Sequence, residues 1–74
     1  MVFNYSKLNG KIVEVCGTQS KFAELMGLSE KTISLKLNNK IMFKQDEILK
    51  AIKILRVPVG DVQEYFFQVK VQNF

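Results

Sequence analysis

Residues 18–40 of the chain read TQSKFAELMGLSEKTISLKLNNK, two short amphipathic segments hinged at a glycine. Thr18 suits the N-cap of a helix from about Gln19 to Met26, because its hydroxyl can accept from a free backbone N–H of the first turn. Phe22, Ala23 and Met26 form the inner side of that helix. Gly27 supplies the positive φ that ends a helix sharply. Ser29 then suits the cap of a second helix, about Glu30 to Asn38, with Ile33 and Leu37 four apart and pointing inward. Small Ala23 lets the two helices cross closely, and Leu28 and Ile33 fill the angle between them. The arrangement is that of a helix-turn-helix, at about residues 18–38.

Outward from this core motif, apolar spacing predicts further helices. Leu8, Ile12 and Val15 give one face of a helix from about Ser6 to Val15, broken at Gly17-Thr18. Ile48, Ile52 and Leu55 stripe a helix from about Gln45 to Arg56. Its start is legible, with Lys44 at the cap, Glu47 at the third helical position, and Phe43 and Ile48 placed as a hydrophobic staple. Val57-Pro58 ends it, and Asp61 and Glu64 are spaced as a capping box for a last short helix reaching Phe67. Phe67, Val69 and Val71 then alternate with Gln68, Lys70 and Gln72, a period of two that argues for an extended tail. Such a tail has unpaired backbone groups and must pair, either with Val2-Phe3 of the same chain or with a second copy. The expectation is an all-α fold, a single compact five-helix domain over residues 1–74 with a short extended C-terminal tail from about residue 68.

Seventy-four residues leave room for one modest core, and 47% hydrophobic content fits a folded globule. No apolar run approaches the roughly 18 residues that cross a membrane, and the mixed, short run from Met1 to Lys7 is not expected to act as a signal peptide. The single Cys16 excludes an intramolecular disulfide and fits a reducing, cytoplasmic setting. With no histidine, scattered acids, no metal-ligand spacing and no glycine-rich phosphate loop, neither an enzyme nor a bound metal or cofactor is expected. The net charge is +4, and its distribution says more than its sum. Four lysines (Lys31, Lys36, Lys40, Lys44) lie between residues 31 and 44 with no acid among them. A basic stripe confined to one segment suits a phosphate backbone, and equally a solvated face.

The motif resembles the lambda-repressor-like, Cro/C1-type helix-turn-helix family, whose usual run is T-Q-x-x-L-A-x-x-x-G-V-S-x-x-T-I-S. Thr18, Gln19, Phe22, Ala23, Gly27, Leu28, Ser29, Thr32, Ile33 and Ser34 fall in its positions, Phe22 and Leu28 as conservative replacements. The endings SLKLNNK and EYFF are similar, more narrowly, to short phage-encoded Cro-like repressors. The resemblance implies a lambda-repressor-like domain that acts as a homodimer on a pseudo-palindromic double-stranded DNA operator. This chain departs from the pattern at Asn38-Asn39, where the family commonly has Asn-Gly, and at Lys36, where it often has an apolar residue. Asparagine tolerates the left-handed conformation, and Leu37 can serve as the inward residue in place of Lys36.

With Ile33 and Leu37 inward, Lys31, Leu35 and Asn38 fall on the opposite face. There Leu35 could touch thymine methyls and Lys31 guanine O6 and N7, while Glu30 could accept from cytosine N4. Plainer roles stand beside these: a protein contact for Leu35, a phosphate contact for Lys31, a helix-dipole contact for Glu30. Gln19, at the start of its helix, faces phosphate in this family. Ser34, Lys36, Asn38, Asn39, Lys40 and Lys44 are further phosphate candidates, setting affinity without reading sequence. Late apolar residues (Tyr65, Phe67, Val69, Val71 and Phe74) are candidates for a dimer joint, or else pack on their own first helix. The rival to DNA binding is a helix-turn-helix module that binds a partner repressor, which Leu35 and Glu30 on the outer face would suit.

Overall fold

Five helices follow one another in the computed structural model, which describes residues 2–70. They are α1 (Ser6–Cys16), α2 (Gln19–Met26), α3 (Glu30–Leu37), α4 (Gln45–Leu55) and α5 (Val62–Phe66), the last entered through a 3₁₀ turn at Val59–Asp61. The all-α, five-helix expectation is met. Among the described residues no helix is long and apolar enough to cross a membrane.

Each start and stop has a local cause. Thr18 Oγ1 accepts the Lys21 N–H at 3.0 Å and Ser29 Oγ accepts the Thr32 N–H at 3.0 Å, so α2 and α3 each begin on a hydroxyl cap. Gly27 closes α2 at φ 72°, where a side chain would be strained. The Lys44 N–H donates to the Glu47 carboxylate at 2.8 Å, with Phe43 and Ile48 both packed against the core. That is the expected start of α4. Ser29→Ala should destabilise the domain by about 1 kcal/mol. A urea melt followed by circular dichroism checks this; an unchanged midpoint would mean that α3 does not depend on its cap.

Two expectations are corrected. In α1 the buried residues are Leu8 and Ile12, whereas Val15 is 41% exposed. Cys16, four residues after Ile12, takes the inward place and packs against the core. At α5, Asp61 makes no side-chain cap, and Glu64 instead pairs across the surface with Lys7. An exposed pair of this kind contributes little.

The core gathers one stripe from every helix. Phe22, Phe66, Leu8, Ile12, Ile33 and Leu55 are its largest fully buried side chains. Helix α2 is the hub, packing on α1, α3 and α4, while α1 also meets α4 and α5. A chain of aromatic contacts ties the termini to this core. Phe67 lies edge-on to Phe3 at 6.1 Å, Phe3 meets Tyr5 at 6.0 Å, and Phe43 sits edge-on to both Tyr5 (5.7 Å) and Phe66 (5.3 Å).

The described part of the tail, up to Lys70, pairs with its own chain. Phe3 and Val69 form one antiparallel bridge, flanked by Asn4 N–H to Gln68 C=O (2.6 Å) and Lys70 N–H to Val2 C=O (2.9 Å). Of the two partners expected for it, the Val2-Phe3 end is the one observed.

Candidate functional site

The outer side of α3 and the loop that follows it hold most of the predicted contact residues. Glu30 and Lys31 are exposed at the capped start of α3, and Leu35 and Ser34 are partly buried on its flank. Gln19 is exposed at the first position of α2, and Lys40 and Lys44 are exposed at either end of the loop. Lys31, Lys40 and Lys44 make no ion pair among the described residues.

Lys36 is not part of that face. It is 3% exposed, on the same inward stripe as Ile33 and Leu37. Its ammonium donates to the Glu47 carboxylate at 2.8 Å and to the Met42 carbonyl at 2.9 Å, and it stands 5.7 Å from the centre of the Phe43 ring. The expected phosphate contact is therefore withdrawn. A lysine three residues after Ile33 faces the core whatever its charge, and the acid on α4 makes that tolerable. Burial pushes the Glu47 carboxyl up, but the Lys36 hydrogen bond, the Lys44 N–H and the two nearby ammonium charges outweigh it. The carboxyl is held below its ordinary range.

The two asparagines also form hydrogen bonds within the chain. Asn39 adopts φ 62°, the left-handed turn that asparagine tolerates, and its amide grips the Phe3 backbone twice. Phe3 N–H donates to Asn39 Oδ1 at 2.8 Å, and Asn39 Nδ2 donates to the Phe3 carbonyl at 3.0 Å. Asn38 Nδ2 folds back onto the Ser34 carbonyl at 2.8 Å. Asn38 itself remains exposed, whereas Asn39 is partly buried. The Asn39–Phe3 clamp spans 36 residues and leaves no pattern in local spacing; only the left-handed turn was legible beforehand.

Besides its two lysines, the loop presents an apolar pair. Ile41 is 42% exposed and Met42 70%, side by side between Lys40 and Lys44. No periodicity marks them, because they lie in no helix.

The proposed joint residues divide. Tyr65 is partly buried against the core with the Lys7 ammonium 5.0 Å from its ring centre, so it packs within its own chain. Phe67 and Val69 remain 46% and 43% exposed. Val71 and Phe74 lie outside the described residues. Cys16 is partly buried at the end of α1, and burial pushes its thiol up, which keeps it protonated.

Comparison with curated proteins gives no match. Among solved structures, the chain is similar to the solution structure of the modulator of repression (MOR) of the temperate bacteriophage TP901-1 from Lactococcus lactis. The two are 56% identical, the match covers 97% of each chain, and the TM-score is 0.81. Over residues 1–69 the chain matches the family described as "Protein of unknown function (DUF739)". A match of that extent takes in all five helices, and the chain belongs to the DUF739 family.

Proposed function

We propose that this chain is a protein-binding helix-turn-helix module that modulates a partner repressor of a phage or prophage switch, with little DNA binding of its own. The observation that carries this reading is the 56% identity, across nearly the full length of both chains, to a protein titled a modulator of repression. The site geometry supports it independently. Of the four lysines in the basic stripe, Lys36 is buried in an ion pair, and the neighbouring Asn38 and Asn39 form hydrogen bonds within the chain. The loop beside α3 offers Ile41 and Met42, which have nothing to give a phosphate chain.

A second reading, a Cro/C1-type homodimer on a palindromic operator, draws on Glu30 and Lys31 standing free at the start of α3. Titration calorimetry separates the two. The chain is titrated against the purified repressor encoded by the same genome, and against that repressor's operator duplex. Saturable binding to the repressor, with only weak and salt-sensitive binding to the duplex, is expected. Tight operator binding by the chain alone, relaxed by Lys31→Ala, would instead establish the second reading.

A further inference from the structure

We infer that the loop of residues 38–44 is a pre-shaped docking knob, and that Ile41 and Met42 insert into an apolar pocket rimmed by carboxylates on the partner repressor. The inference rests on the modulator reading and adds where the partner is held.

Almost every residue of this loop is tied down from within. The Leu35 carbonyl accepts the Lys40 N–H at 2.8 Å and the Ile41 N–H at 3.4 Å. The Asn39 amide is clamped to Phe3, and the Met42 carbonyl is held by buried Lys36. The Phe43 ring is wedged between Tyr5 and Phe66, and the Lys44 N–H is fixed by Glu47. The side chains left over are Lys40, Ile41, Met42 and Lys44. A loop fixed through its backbone while its apolar tips stay in water loses little entropy on binding. Methionine adds a side chain that adapts to irregular apolar pockets.

Charge says what kind of partner fits. Lys40 and Lys44 bracket the apolar pair and hold no acid among the described residues, so a pocket with an acidic rim is complementary. A second copy of this chain fits poorly, since a two-fold joint here would set the same lysines against each other. DNA would meet the lysines but strand the apolar pair against phosphate.

Calorimetry with the purified full-length repressor of the same genome tests this. Ile41→Asp and Met42→Asp should each weaken binding by about tenfold or more. Lys44→Glu should weaken it less, and mostly at low salt. Leu49→Asp, on the exposed face of α4, should leave it unchanged. Thermal melts should show all four variants folded, because none of these side chains belongs to the core. Wild-type binding that survives both loop substitutions would overturn the knob and leave the modulator reading standing. No binding by the wild-type chain would overturn both. Sedimentation showing a wild-type dimer that Met42→Asp converts to monomer would assign the knob to a second copy and overturn the inference.

Discussion

Phe22→Ala is expected to leave the domain largely unfolded at 37 °C. Phe22 is fully buried on α2, the helix that packs on α1, α3 and α4 at once. Truncating a buried phenylalanine costs about 3–5 kcal/mol, part from lost transfer and part from the cavity left behind. A single core in a chain this short supplies only about 3–5 kcal/mol in total, so the loss is comparable with the whole. Urea unfolding followed by circular dichroism should place the midpoint near zero denaturant. A loss below about 1.5 kcal/mol would mean that the surrounding helices close over the gap, contrary to the hub role given to α2.

Removing only the acid of the buried pair should be nearly as damaging. Glu47→Leu leaves the Lys36 ammonium buried with the Met42 carbonyl as its one remaining hydrogen-bond partner, and breaking a buried pair this way costs about 3–5 kcal/mol. The double replacement Lys36→Met with Glu47→Leu removes both charges and should recover most of that loss. A double variant no better than Glu47→Leu would show that packing, not the orphaned charge, dominates. The pair also sets an acid sensitivity. Because the folded carboxyl lies below the ordinary value of about 4.3, its contribution is complete above that pH. It is lost as pH falls through the lowered folded value. Glu47→Gln should abolish this share of the acid dependence.

That pair also marks where sequence pattern stops being informative. The helix starts were legible because each depends on residues within four positions: Thr18 with Lys21, Ser29 with Thr32, Lys44 with Glu47. Gly27 and Asn39 were legible because few residues accept a positive φ. At Lys36 register prevails over charge. Its place three residues after Ile33 pointed inward, and the acid that permits this sits eleven residues later on another helix. The Asn39–Phe3 clamp and the exposed Ile41–Met42 pair depend on contacts between distant segments, which no local period encodes. Of the candidate contact residues, Glu30, Lys31, Asn38, Lys40 and Lys44 are exposed, Asn39 is partly buried in its clamp on Phe3, and Lys36 alone is buried.

The most direct measurement is a gel shift on the operator of the same-genome repressor, run with the chain alone, the repressor alone, and both together. Protein binding as the primary activity predicts no discrete band from the chain alone, and a repressor–operator band that is lost or displaced as the chain is added. A discrete operator complex formed by the chain alone, with the repressor band untouched by its addition, would contradict it.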